Sequence, residues 1–286
     1  MGRTLRKNAL KKIIACIDGS NLTTSTCEAS AWVANKVDAP LVLFHALDHS
    51  TLPVVSEFSG QIGLGSQEEL LAELTELDQA RSKIMLQHAN ALLTEAQNWI
   101  VNQGVKNVSK LQRHGSLLEG LVDLEDELRV LVIGRSGDSH SVGSQLETVI
   151  RSIKAYILVV CEGFQLPDSY IIAFDGSSFS EKLIEKVIQP PLLKGIDCHL
   201  VMINDGGNKN EALEKATIQL EESGIKVTAA ALTGAVEKTL IDYQQQHGIG
   251  MMVMGAYGHS QLRQFFVGSN TSKVLSNSQV PLLLIR

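Results

Sequence analysis

The segment richest in usable chemistry runs Gly255-Ala256-Tyr257-Gly258-His259-Ser260-Gln261-Leu262-Arg263-Gln264-Phe265-Phe266-Val267-Gly268-Ser269-Asn270. It follows an apolar run of strand type at 251–254 and leads into a stretch of helical periodicity. Glycine accepts positive φ and close backbone approach, so Gly255 and Gly258 can turn N–H groups toward a phosphate chain. Gly268 and Ser269 open the next helix, whose unpaired N–H groups and dipole favour an anion. Ser269 can add a hydroxyl donor or serve only as the N-cap. Each glycine taken singly is equally well a turn or capping residue. The whole spacing after a strand, with Asp175 closing another apolar run at 170–174, points instead to a phosphate-bearing ligand.

Neighbouring residues are weaker candidates. His259 and Arg263 lie inside the loop; they read either as partners of a terminal phosphate or as a solvated flap, and for Arg263 the flap is preferred. His45, in an apolar run, reads as a satisfied sheet-end histidine, and His114 as a loop residue beside Gly115. The acidic run from Glu119 to Glu127 fits the solvated face of a helix. Leucines within 67–79 form a stripe suited to a core or a partner surface, and Trp32 and Trp99 fit packing positions.

These residues need a frame to position them, and the chain writes that frame twice. Ile13-Ile14-Ala15-Cys16-Ile17-Asp18-Gly19-Ser20 returns as Tyr170-Ile171-Ile172-Ala173-Phe174-Asp175-Gly176-Ser177. Leu131-Val132-Ile133-Gly134-Arg135-Ser136-Gly137 returns as Met252-Val253-Met254-Gly255-Ala256-Tyr257-Gly258. Val142-Gly143-Ser144 matches Val267-Gly268-Ser269, and residues 155–159 match 280–284. A duplication is the expected origin.

Apolar runs of strand length fall near 11–18, 41–47, 108–112, 130–133 and 155–160, then near 170–175, 197–204, 226–232, 251–254 and 281–285. Helical periodicity fills 25–37, 67–103, 117–127 and 145–152, then 179–189, 210–223, 235–247 and 270–277. Strands apolar throughout and separated by helices predict a parallel sheet covered on both faces. The expected fold is α/β, two tandem doubly wound, Rossmann-like sandwich domains, at residues 1–162 and 168–286. Residues 163–168 form a short linker, so the two should pack together, and 48–66 form a long loop in the first copy only.

Composition narrows the function. The 286 residues are 44% hydrophobic and 20% charged, with a net charge of −6, which fits globular cores and argues against nucleic acid or an anionic membrane as partner. The four cysteines form no metal-like spacing, and the two that sit in β-like runs read as small buried residues. No signal peptide or spanning run is legible, so the expected location is the cytoplasm. No Gly-x-Gly-x-x-Gly follows either first strand and no Gly-x4-Gly-Lys-Ser/Thr occurs, which disfavours a dinucleotide dehydrogenase and a P-loop NTPase. Asp18-Gly19-Ser20 and Asp175-Gly176-Ser177 lack an evident base, and no metal carboxylate set for phosphoryl transfer is legible, so no catalytic residue is assigned.

The pattern Gly-x2-Gly-x9-Gly-Ser at Gly255, Gly258, Gly268 and Ser269 resembles the nucleotide loop of ATP-binding universal stress proteins. The resemblance spans nearly the whole chain as two tandem domains. It implies that Asp175 holds the adenine and ribose end, that the backbone of Ile203 contacts adenine, and that Gly255, Gly258, Gly268, Ser269 and Asn270 hold phosphate and ribose. His259 is counted with them. The first copy keeps Asp18, Ala46, Gly134, Gly137, Gly143 and Ser144, but five residues separate Gly137 from Gly143 where nine separate Gly258 from Gly268. A loop four residues shorter should be degenerate, binding weakly, taking a shorter ligand such as AMP, or binding nothing.

The resemblance thus implies an adenine-nucleotide-binding regulatory protein of the stress response, with ATP, ADP or AMP as ligand and Mg²⁺ as an optional companion. Alternatives are a tandem scaffold or small-lipid carrier without nucleotide, and a slow ATPase. Such domains often pair through their last strands; here 155–160 and 280–285 can pair within one chain and mimic a dimer, while association of two whole chains is left open.

Overall fold

The computed structural model describes residues 11–47, 64–135, 140–203, 210–256 and 269–286. The first half runs β1 (Lys12–Cys16), α1 (Thr23–Val37), β2 (Leu41–Leu47), α2 (Leu64–Asn102), β3 (Val108–His114), α3 (Leu117–Asp123), β4 (Leu128–Gly134), α4 (His140–Ser152) and β5 (Tyr156–Val160). The second runs β6 (Ser169–Phe174), α5 (Ser178–Ile188), β7 (Asp197–Ile203), α6 (Asn210–Glu222), β8 (Val227–Leu232), α7 (Val236–His247), β9 (Met251–Gly255), α8 (Ser269–Asn277) and β10 (Leu282–Ile285). Strand expectations hold within a few residues. The acidic stretch expected as one helix over 117–127 divides into α3 and a 3₁₀ turn at Glu125–Glu127. Ser116 and Glu119 close a capping box at the start of α3.

The strands form one ten-stranded sheet in the order β3-β2-β1-β4-β5-β10-β9-β6-β7-β8. Every neighbouring pair is parallel except β5 with β10. There Leu282 faces Val159, Leu283 faces Leu158 and Leu284 faces Ile157. The repeat aligns Leu158 with Leu283, so this central pair lies on the local two-fold axis relating the halves. An edge that would otherwise expose unpaired backbone is closed within the chain.

Strands such as Ile13–Ala15, Leu41–Phe44 and Leu282–Ile285 are buried on both faces because helices cover both sides. One core gathers α1, the end of α2, α5 and α6; the other gathers α3, α4, α7 and α8. Each core contains residues of both halves. Along α2, Ala89, Leu93, Ala96 and Ile100 are buried at helical spacing, while Leu77 and Ile84 are 66% and 65% exposed. The leucine stripe therefore does not join the core at Leu77.

Two arginines tie the halves across the axis. Arg135, just after β4, donates to the carbonyl of Leu275 near the end of α8. Arg286 donates to the carbonyls of Ile150, at 3.0 Å, and Arg151 at the end of α4. Ile150 and Leu275 are equivalent positions of the repeat. Each half thus supplies a cation to the negative end of the other half's last helix. The linker is held by Ser25, whose hydroxyl accepts from the backbone N–H of Gly163 (3.0 Å) and Phe164 (3.3 Å).

Candidate functional site

The carboxyl ends of β6 and β9 are adjacent, and the chain leaves them in opposite directions across the sheet: β6 leads toward β7 and β9 toward β10. Such a switch point opens a crevice at the strand ends in doubly wound sheets. Asp175 follows β6, Ile203 ends β7 and Gly255 ends β9, so three residues distant in sequence stand on one rim. The rest of the expected set is less fully placed. Gly258, His259, Arg263 and Gly268 lie outside the described residues. Ser269 and Asn270 form the first turn of α8, and their side chains are also outside the described set.

Local geometry explains the rim. The Asp175 carboxylate accepts the Ser177 N–H at 3.0 Å around Gly176, whose φ of +69° suits glycine. Ser177 is then the N-cap of α5, its hydroxyl accepting the Ser180 N–H at 3.2 Å. The Asp-Gly-Ser motif is a strand-to-helix turn. Asp18 repeats it, accepting the Ser20 N–H at 3.0 Å and hydroxyl at 2.7 Å around Gly19. At the other side of the crevice, the buried Thr271 hydroxyl donates to the Gly255 carbonyl at 3.3 Å, joining α8 to the end of β9.

Gly255 also has a packing reason to be glycine. A Cβ there would lie 2.1 Å from the ring of Phe179, in the first turn of α5. In the first half the equivalent Gly134 would place its Cβ 3.0 Å from Leu22, the residue that matches Phe179 four positions after the aspartate. This contact was not foreseen from sequence, although the repeat places Leu22 and Phe179 at the same offset. His45 is satisfied as expected, with Nδ1 2.5 Å from the Ile17 carbonyl. Burial holds the Cys27 and Cys198 thiols up at about 12, and burial followed by Asp18 raises Cys16 further, so these sulfurs stay protonated and poorly nucleophilic. Among the described residues, no three His, Cys, Asp or Glu side chains converge as a metal site, and no helix is long and apolar enough to cross a membrane.

The universal stress protein family model matches residues 9–160 and 203–286, once over each half. The chain belongs to the universal stress protein family. The universal stress protein Slr1230 of Synechocystis is 30% identical over 287 residues, covering 97% of this chain and 100% of that protein. The crystal structure of a universal stress protein from Archaeoglobus fulgidus superposes with a TM-score of 0.68 at 15% identity, covering 96% of each chain. A protein described as a putative universal stress protein from Pseudomonas aeruginosa gives a TM-score of 0.61 at 12% identity, covering 98% of this chain and 94% of that one. These universal stress protein folds share the tandem α/β arrangement along nearly their whole length. Asp175 lies in the interval 161–202 outside the two family matches, whereas Ile203 and the glycine segment lie within the second.

Proposed function

We propose that this universal stress protein binds an adenine nucleotide as a regulatory ligand of the stress response, mainly in its second half. The observation that carries the reading is the convergence of Asp175, Ile203 and Gly255 at the β6/β9 switch point, from which an unbroken Gly-x2-Gly-x9-Gly-Ser segment leads into α8. The residues fit such a ligand. Asp175 offers a carboxylate acceptor for ribose hydroxyls, the end of β7 offers backbone groups to adenine at Ile203, and the first turn of α8 offers N–H groups to phosphate. Gly258, His259, Gly268, Ser269 and Asn270 complete the phosphate and ribose contacts in this reading.

ATP is the nucleotide of choice, with Mg²⁺ screening its phosphates, and ADP or AMP are weaker ligands. The first domain, residues 1–162, carries a degenerate copy; the second, residues 168–286, carries the working one. The protein acts in the cytoplasm as a binding regulator and not as an enzyme, its tandem halves replacing the pair of chains that a single-domain relative would need.

The test is calorimetric titration of the full chain with ATP and Mg²⁺, beside Gly268→Glu. Glutamate there places bulk and negative charge where phosphate should sit. One ATP per chain, weakened at least about 100-fold (about 2.7 kcal/mol) by the variant, is expected. Two sites per chain would overturn the degenerate first copy, and no binding by nucleotide-free protein would overturn the function itself.

A further inference from the structure

A cavity of about 410 Å³ opens where the starts of β4 and β5 meet the end of α5 and the last strand's exit. Five cationic side chains line it: Lys11, Arg129, Lys154, Lys186 and Arg286. No carboxylate side chain is among the lining residues, in a chain whose net charge is −6. Like charges so gathered repel one another, and Glu125, the carboxylate set against Lys154 and Arg286 from behind, is one negative charge against five positive ones.

The cations are positioned from behind. Arg129 donates to the Val37 carbonyl at the end of α1 at 3.3 Å, and Arg286 donates to carbonyls at the end of α4. Glu125 accepts the Lys154 backbone N–H at 2.9 Å and lies 3.8 Å from its ammonium. Tyr156 crosses the cavity wall and donates its hydroxyl to the Lys186 carbonyl at 3.3 Å, joining β5 of one half to α5 of the other. Ring and proline surface at Tyr156 and Pro190 sit beside these charges.

We infer that this inter-half cavity is a binding site for a compact polyanion carrying a chain of two or more phosphoryl groups, separate from the nucleotide crevice. Guanidinium and ammonium groups gathered from five residues match several phosphate oxygens at once, which a single carboxylate does not use. Occupancy would bridge the halves, because Lys186 and Arg286 come from the second and the others from the first.

The probe is inorganic tripolyphosphate, titrated into the full chain at low and at physiological salt. Binding near one per chain is expected, weakening as salt rises. Lys154→Glu/Lys186→Glu should weaken it at least about tenfold, and the gentler Lys154→Gln/Lys186→Gln should weaken it measurably with an unchanged melting curve. The equal-charge control Lys106→Glu/Lys215→Glu, on exposed lysines elsewhere, and Gly268→Glu should both retain it. Loss in Gly268→Glu alone would assign the phosphate chain to the nucleotide loop and overturn the inference. So would equal loss in both lysine pairs, or equal binding of citrate, which shows a site for general anions only. With tripolyphosphate bound, a remaining ATP stoichiometry of one per chain identifies an inorganic or different organic phosphate as the occupant; full displacement of tripolyphosphate by ATP in Gly268→Glu identifies ATP itself.

Discussion

The two halves share a strand order, a pair of helix layers and an Asp-Gly-Ser turn, yet they differ at three places. After the first strand, Leu22 in one half stands where Phe179 stands in the other, and each lies against the glycine ending the fourth strand. After that glycine the first half's loop is four residues shorter, five against nine between its second and third glycines. On the second strand, Val42 of the first half is replaced by His199. A duplicated frame can keep its packing while its loops and rims diverge, because the sheet fixes the strand ends and leaves the connections free.

The sharpest way to break the comparison is to ask whether the halves are separable at all. Both cores contain residues of both halves, and the β5–β10 junction buries Leu158 and Leu283 almost completely. Leu200→Ala, a fully buried site in the second half, should cost about 2–5 kcal/mol. Both tryptophans, Trp32 and Trp99, lie in the first half, so their fluorescence reports chiefly on unfolding of that half. In urea, the tryptophan transition of Leu200→Ala should shift together with far-ultraviolet dichroism, which reports on both. A tryptophan transition left at its original midpoint would show that the halves unfold independently.

A smaller effect separates the two glycines. Gly255→Ala forces its new methyl into the Phe179 ring, where the nearest ring carbon lies at 2.1 Å, and should cost about 1–3 kcal/mol. Gly134→Ala meets Leu22 at 3.0 Å and should cost less. Phe179→Leu, which copies the first half's residue, should restore much of the stability lost in Gly255→Ala. Thermal melts of the two single variants and the double variant decide this. A Gly255→Ala loss that Phe179→Leu leaves untouched would mean that backbone conformation, and not ring contact, demands the glycine.

Much of this frame was legible in the sequence because it is periodic. Runs such as Ile13–Ala15 and Leu282–Ile285, separated by helical stretches, identified ten strands and their covering helices, and the repeat located Asp175 and Gly255 on matching rims. Pairing of the two apolar last strands within one chain was legible as a way for their edges to satisfy each other; its antiparallel direction was not. What escaped were meetings of residues far apart in the chain. Arg135 reaching Leu275, Arg286 reaching Ile150, and Phe179 covering Gly255 depend on helix tilt and side-chain reach, which no local period encodes. The basic cavity escaped for the same reason, since its five cations are scattered from Lys11 to Arg286. The leucine stripe of α2, suited by spacing to a core or a partner surface, is not core at Leu77, which precedes the buried positions that, among the described residues, run from Ala89.

The smallest expected effect lies at the third difference and turns on pH. His199 sits on β7 with Nδ1 3.0 Å from the Tyr243 hydroxyl, and its ring lies 5.6 Å from that of His247. Burial, followed by the neighbouring His247, lowers its pKa; Lys226 adds to the lowering and Asp197 opposes it. In the unfolded chain a histidine titrates near about 6.5. A folded value below the unfolded one means that the unfolded state takes up the proton first as pH falls. The contribution of neutral His199 is therefore complete above about 6.5 and declines as pH drops through the folded value. His199→Val, which copies Val42, removes that proton site. It also strands the Tyr243 hydroxyl, at a cost of about 0.5–1.5 kcal/mol at neutral pH. Urea unfolding at pH 7.5 and pH 5 should show wild type losing more stability than His199→Val over that interval, with the gap between them narrowing on acidification. A gap that stays constant would place the pH response in the other histidines, and one that widens would mean that protonated His199 is stabilised in the fold by Asp197.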